Sequence, residues 1–583
     1  MNTEDSITIT LSDKTGLSAA DGTAYVAGWI NATPSAPFEF QLLGSGGTFN
    51  TAPAVAPTTV LATQAWQSAG IEVNPSSSPV TITYVGGGWS ADPNTNGNQL
   101  YDAAGCPGLN VPLDQTKYPI VGVPMGALIG RIGSEGVPFF IGRGPFLMPS
   151  SFASGDLQLC INDDLTGAYG AGLNDNIGSV SVAIFNQGLT FMAMSSVPSI
   201  ALSTATNGNE RLVFTVAPTQ PTPLPIYAAS PPVATPPPVA PTGDIPAYAV
   251  MQFPPPPYGN QPGPSPSGPF DFFEFGYNAA ADVSAVNGFG LNLSFSCAGE
   301  SYGVAPSISR ATIASAYQSF IANEGASAAA YGELLTNGAL GSSYAPPTVN
   351  GEFFAIADPS DMLIAKQAAG LLGTDPLSSY WDSTLNAFFA VNSYLSIDLS
   401  GNGTNVYTGQ CTMQALNGVS TAAYTLTNGT NTYTFYQPPS GLQSALYVFQ
   451  QAFSQYQEGG SGGDAGVLQM NIWEALCRGV AVAGVGNQST PSGFSTKAWN
   501  QSENWYAAGS TCNYYAKFLH CSTAQGTDSR TPSNGSPIFL NGAAYGFSAD
   551  ENPNGAYSGP NVPSKTQGNV QPDATIAITL GPW

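Results

Sequence analysis

Helix-period apolar stripes occur only between residues 308 and 480 of this chain, and runs of period two flank them. The helical stripes are Ile308–Asn323, Pro376–Val391, Leu442–Gln457 and Leu468–Val480, the last closed by Arg478 and Gly479, a cation and a glycine stop. Period-two runs stand on both sides: SITITL from Ser6, AYVAGWI from Ala24, VTITYV from Val80, LIGRI from Leu128, Leu157–Ile161, SVSVAIF from Ser179, LVFTV from Leu212 and ATIAITL from Ala574. A chain so patterned is mainly β, with a smaller α/β part in its second half. Its 583 residues exceed what one ordinary core holds, so two or more domains are expected.

Charge decides which partners remain. Asp and Glu number 36 against 12 Lys and Arg, a formal net charge of −24. Twelve cations over such a length cannot track a phosphate backbone, and an anionic membrane surface repels the chain, so neither nucleic acid nor membrane insertion is expected. Neutral polysaccharide and divalent cations stay compatible with this balance. Charged residues make up only 8%, their place taken by small and turn-forming residues, which reads as an extracellular protein. MNTEDSITITL lacks a basic start and an apolar core, so the leader is expected to have been removed or replaced by another export route. The seven cysteines (Cys106, Cys160, Cys297, Cys411, Cys477, Cys512 and Cys521) are an odd number, too dispersed for a zinc spacing, and one histidine, His520, excludes a His-based metal site. Cys512 and Cys521 are near enough in sequence to close a short loop, but the pairing stays open.

Thr51–Thr59 is loose and Pro-rich, a candidate boundary, and the regularly spaced strands from Val60 to Phe185 suggest a β-sandwich. Residues Ala217–Gly268 are crowded with proline and read as a polyproline-like spacer, with recognition by a proline-binding partner as the alternative. No internal repeat is found.

The segment FFEFGYNAAADVSAVNGFGLNLSF, Phe272–Phe295, resembles the cleft segment shared by thaumatin-like proteins and glycoside hydrolase family 64, the laminaripentaose-producing β-1,3-glucanases. ITITLSDKTG, GGTFNTAP, NERLVFTV, YWDSTLNAFFA, ALCRGV, NYYAKFLH, AYGFSADE and ATIAITLGPW match that family in order. The resemblance implies a thaumatin-like β-sandwich or barrel with a smaller α/β domain. It also implies β-1,3-glucan as substrate and an inverting mechanism, in which one carboxyl protonates the leaving oxygen and a second activates water. Glu274 then stands where the family has its acid. The family's base position is occupied by Asn287, an amide that takes no proton from water. Asp282, or the acidic pair Asp550 and Glu551 near the substrate, would have to substitute, or Asn287, which precedes Gly288, would have to deamidate.

Residues from about Val60 to Gln187 have no counterpart in that frame. WQSAGIEVNPSSSPVTITYVGGGWSADP, VPMGALIGRIG and INDDLTGAYGAGLNDNIGSVSV resemble the bacterial calcium-dependent galactophilic lectins, implying an inserted jelly-roll-like sandwich that binds Ca²⁺ and, through it, a galactose-type sugar. Calcium takes six to eight hard oxygens. By resemblance Asp163 gives a carboxylate, Asp175 and Asn176 give side-chain oxygens, and Asp92 gives a backbone carbonyl. The loop between Asp163 and Asp175 is longer than in those lectins, and the stretch Leu113–Thr116 lacks their sugar-contacting His and Gln.

The resulting division is 1–58 for the first strands of the glucanase-like domain, 59–187 for the inserted lectin-like module and 188–216 for the return. The Pro-rich 217–268, the acidic-cleft strands 269–300, the α/β domain 301–505 and the closing strands 506–583 follow. Two functions compete: a secreted endo-β-1,3-glucanase carried on a lectin module, and a non-catalytic carbohydrate-binding protein, adhesin or toxin-like, whose groove has lost its base. The oligomeric state is open at this stage.

Overall fold

The computed structural model describes residues 7–31, 40–51, 54–202, 210–226, 268–276, 280–285, 288–336, 355–368, 370–400, 402–449, 456–459, 463–487, 499, 501–528, 537–540, 568–570 and 574–583. The fold is mainly β. Strand Ile7–Asp13 lies between Ser199–Leu202, antiparallel, and Thr575–Leu580, parallel, in a six-stranded sheet that continues through Leu293–Cys297 and Glu300–Val304 to Phe539–Leu540. A second sheet runs in the order Gly568–Asn569, Ala280–Ser284, Phe270–Phe275, Glu210–Ala217, Thr23–Asn31, Phe40–Leu43 and Phe49–Thr51. Alternation sorts the side chains of this sheet. Val26, Leu212, Phe214, Phe273 and Val283 join Ile9 and Ile578 of the first sheet in one buried core. Tyr25, Ala27, Trp29, Val213 and Phe272 face the other way.

Residues between these early strands and their later partners pair among themselves. Ala54–Leu61, Ile177–Phe185, Thr81–Ser90 and Phe146–Leu147 make one four-stranded sheet, and Gln67–Val73, Gly155–Ile161, Leu128–Ile132 and Phe139–Phe140 make another. The two enclose a core of their own, in which Val60, Ile82, Trp89, Ile129, Leu159 and Val182 are buried. The sandwich begins earlier than the sequence suggests, because Ala54–Leu61 is a strand despite Pro57. It lies at the edge of its sheet, where a missing N–H costs no ladder bond, and its register against Ile177–Phe185 shifts between Val182 and Ile184. Of the Pro-rich stretch, 217–226 and Gly268 are described, and there Leu224–Pro225 pairs with Gly188–Leu189 as a short ladder.

The third core holds the helices. Arg310–Glu324 starts at Ser309, whose hydroxyl accepts from Thr312 N, and Asp464–Cys477 runs into Gly479, which turns away at φ 75°. Arg478 does more than match the helix dipole: it pairs with Glu474 at 3.2 Å, and its guanidinium sits 3.8 Å from the Trp505 ring centroid. The stripe Pro376–Val391 is helical only over Asp382–Phe388. Asp375 explains the late start, since its carboxylate accepts from Leu377 N at 2.8 Å and from Lys366 Nζ at 2.5 Å and so fixes a turn there. The stripe from Leu442 is helical to Phe449 and is extended at Gln457–Glu458. Helices Pro359–Ala368 and Tyr514–Cys521, and a six-stranded antiparallel sheet built mainly from residues 393–436, have no counterpart in the sequence reading. No disulfide joins the seven cysteines, so Cys512 and Cys521 close no loop. No helix among the described residues is long and apolar enough to cross a membrane.

Candidate functional site

Strand register brings the acidic-cleft residues together. Arg211 lies opposite Glu274, and Glu274 lies opposite Asp282 on the next strand. Trp29 continues the row on the far side of Arg211. The four therefore share one face of the sheet, the face away from the Ile9–Phe214 core. The Arg211 guanidinium is ion-paired with Glu274, and these side chains keep 27% and 24% of their surface exposed. Asp282 is 6% exposed. Asn287, Asp550 and Glu551 lie outside the described residues.

The segment that follows position 287 is anchored from beneath. Fully buried Asp271 accepts hydrogen bonds from the backbone N–H of Gly290 and of Leu291, each at 3.1 Å, and Arg310 Nε donates to Gly290 O at 2.6 Å. Burial pushes the Asp271 carboxyl up to about 8 against those donors, and burial lowers Arg310 to about 9 against the attraction of Asp271. Arg310 also stands 4.5 Å from the Trp583 ring centroid. The chain leaving position 287 is thus tied to the Glu274 strand by buried hydrogen bonds.

Sequence reading passed over Arg211 and Asp271 as site residues. A guanidinium in the largely apolar ERLVFTV strand, in a chain with so few cations, was the available signal for the first. FDFFEF gave one for the second, since its two carboxylates fall on opposite faces.

At the end of the sandwich, three consecutive residues take separate tasks. Asn162 accepts from Ile120 N at 3.2 Å and donates to Ile120 O at 3.0 Å, tying down the 110–124 loop. Asp164 accepts from Thr166 N at 3.0 Å and from Tyr169 N at 2.5 Å, shaping the following loop. Asp163, between them, is buried; it accepts from Asp164 N at 2.7 Å and from Asn176 Nδ2 at 2.9 Å. Desolvation raises the Asp163 carboxyl above the usual range, and the charges of Asp175 and Asp164 push the same way. Asn176 also donates to Ala62 O at 3.0 Å, while its buried Oδ1 accepts from none of the described residues. Asp175 Oδ2 is 3.4 Å from Asn94 Nδ2, and the Asp92 side chain caps helix Pro93–Asn96 through Thr95 N, which leaves the Asp92 carbonyl as its contribution to any ligand.

A buried carboxylate, a neighbouring carboxylate and an orphaned amide oxygen are hard donors of the kind calcium takes. Among the described residues no three His, Cys, Asp or Glu side chains group around a point, so a cation here would rely on amide and backbone oxygens beside two carboxylates. Beside Asp92, a cavity of about 70 Å³ is lined by Trp89, Tyr101, Cys106, Leu109 and Met125.

No family model and no curated protein matches the chain. Among solved structures, it is similar to a β-1,3-glucanase domain (GH64) from Clostridium beijerinckii, with 13% identity and a TM-score of 0.47 over 99% of this chain and 98% of that one. It is also similar to a GH family 64 laminaripentaose-producing β-1,3-glucanase from Paenibacillus barengoltzii, with 14% identity and a TM-score of 0.37 over 100% of this chain and 76% of that one. Likeness at this level leaves the function to be argued from the chain's own residues.

Proposed function

We propose that this chain is a secreted carbohydrate-binding protein that engages a neutral β-1,3-glucan at the partly exposed Arg211–Glu274 pair beside Asp282. The row of Arg211, Glu274 and Asp282 on three adjacent strands carries the reading. A partly exposed guanidinium beside a partly exposed carboxylate offers donors and acceptors to neighbouring sugar hydroxyls. Glu274 stands where the resemblance puts the acid, and a bound glucan would have to displace Arg211 from it before it could protonate a leaving glycosidic oxygen. Asp282 is a weak substitute for the missing base, since it is buried where a water to be activated has little access. Binding with little turnover follows.

The test is laminarin affinity beside reducing-sugar release, for wild type, Asn287→Asp and Asn287→Asp with Glu274→Gln. Wild type should bind and barely hydrolyse. The carboxylate at 287 should raise turnover by about 10²–10⁴-fold, the contribution of a positioned general base, and Glu274→Gln should cancel that gain. Brisk wild-type hydrolysis that survives Glu274→Gln would overturn the assignment.

The sandwich 54–185 is proposed as a second, calcium-dependent glycan site, held by Asp163, Asp175, Asn176 and the Asp92 carbonyl. The unsatisfied Asn176 Oδ1 beside buried Asp163 supports it. When bound, the cation would supply positive charge and open coordination positions for two adjacent sugar hydroxyls, the galactose type among them.

A further inference from the structure

We propose that Lys366 and Asp375 condense into an intramolecular amide, with Glu333 as the proton carrier, so that a covalent brace replaces their ion pair. Lys366 stands near the end of helix Pro359–Ala368, Glu333 in the short helix Ala329–Leu334 and Asp375 in the turn ahead of Pro376. The Lys366 ammonium donates to Glu333 Oε2 at 2.6 Å and to Asp375 Oδ2 at 2.5 Å. Only 10% of the lysine side chain and 4% of the Asp375 side chain reach solvent. Met362 and Leu363, one turn back on the same helix face, are fully buried. Burial raises the Glu333 carboxyl against the pull of Lys366, and Asp375 beside it adds to the rise. Charges at such depth lose hydration that their attraction returns only in part. An amide has no charge to desolvate and escapes most of that cost.

The groups are arranged for attack. Nζ lies beside Oδ2, one bond from the Asp375 carboxyl carbon. Oδ1 accepts from Leu377 N at 2.8 Å, a donor already aimed at the oxygen on which charge grows as that carbon turns tetrahedral. The backbone is fixed around it, since Asp375 N donates to Leu372 O at 2.9 Å and Asp375 O accepts from Ser378 Oγ at 2.7 Å. Pro376 has no N–H, so the following backbone nitrogen cannot capture the Asp375 side chain in competition with Lys366. In the reaction Glu333 takes a proton from the ammonium and hands it to Oδ2, and the freed amine forms the Nζ–Cγ bond. Glu333 then carries a second Nζ proton to the same oxygen, the Cγ–Oδ2 bond breaks, and water leaves. One ammonium and one carboxylate become an amide and water, with net charge unchanged and no oxidant consumed. Holding the partners in contact supplies the effective concentration that dilute solution lacks. No disulfide braces this chain. The amide ties down the helix that follows strand Ala355–Ala357, the partner of Gly288–Phe289 beside the cleft segment.

The test is mass spectrometry of the purified full chain. Wild type should weigh one water less than its sequence. Chymotryptic cleavage after Leu371 or Leu372 should then release a branched peptide joining Lys366 to Asp375. Lys366→Arg should show the full sequence mass. Glu333→Gln should slow the condensation about 10²–10⁴-fold, the share of a positioned acid–base group, and so keep the full mass at harvest. Wild type at full sequence mass after prolonged incubation at neutral pH overturns the amide, and so does a missing water that the fragments place elsewhere. Both readings come from wild type alone, whether or not the variants fold. A branched peptide formed as fast in Glu333→Gln as in wild type overturns the role of Glu333.

Discussion

Asp163→Asn isolates the proposed cation site, because it removes one charge and keeps the side chain's size. In wild type, saturating calcium at about a hundredfold over its dissociation constant adds about 2.7 kcal/mol to the folded state. For a sandwich of this size that is on the order of 10 °C in melting temperature. Without calcium the substitution has two opposed effects. The charge that burial disfavours at Asp163 is gone, which stabilises the variant. The amide, however, cannot accept from both Asp164 N and Asn176 Nδ2, so one of those hydrogen bonds is lost, at about 1 kcal/mol. Asn176 relieves part of that by rotating its orphaned Oδ1 toward the new N–H, giving up Ala62 O. In chelator the two proteins should therefore melt within a few degrees of each other. In calcium, wild type should rise on the order of 10 °C and the variant should not move. Differential scanning calorimetry of the full chain reads this directly. Equal shifts in both proteins, or none in either, refute the site.

Two further outcomes test the packing that holds the faces in place. Burial raises Asp358 from 3.8 to about 6, although its carboxylate accepts from Ser360 N at 2.8 Å and Asp361 N at 3.2 Å at the start of helix Pro359–Ala368. A raised carboxyl means that the folded state holds its proton longer than the unfolded one, so stability falls as pH climbs from about 4 to about 6. Asp358→Asn should remove that dependence and gain on wild type by about 1–3 kcal/mol at pH 7.5 relative to pH 4, read from paired urea titrations; a pH-independent difference rejects it. Gly526 sits at φ 70°, and a Cβ there would stand 2.3 Å from Ser319 Cβ and 2.5 Å from Ala316 O of helix Arg310–Glu324. Gly526→Ala should thus cost about 2–4 kcal/mol from overpacking and left-handed strain, measured by thermal melt, and a loss below about 0.5 kcal/mol rejects that contact.

The sequence exposed elements whose core face was regular and hid those that tertiary context decides. Thr575–Leu580 alternates cleanly because one side is buried and the other is not, whereas the last four residues of Ile177–Phe185 are buried on both faces. Ala54–Leu61 was masked by Pro57, a breaker in a central strand but harmless at an edge. The helical stripe from Pro376 was genuine burial without helix: Leu377 and Trp381 are buried, yet the Asp375 turn presents the first of them before the helix begins. In Val406–Leu416 and Val419–Thr427 the burial alternation fails toward the hairpin tip, where Met413 and Val419 are exposed, so no clean period announced that sheet.

The candidate site shows a different limit. Glu274 was legible as a strand carboxylate with Asp282 a little further on, but the pairing of their strands and their partner were not, because Arg211 reaches Glu274 only through pairing across the Pro-rich stretch. That register is set by which residues of Glu210–Ala217 the core claims. Leu212, Phe214 and Val216 are buried against the first sheet, which leaves Arg211 and Val213 on the other face. A slip by one residue would carry Arg211 into the apolar core and bring Glu210 opposite Glu274, two carboxylates with no cation between them. The apolar alternation of one strand thus selects which charge stands beside Glu274, so the hydrophobic core fixes the chemistry of this face from behind.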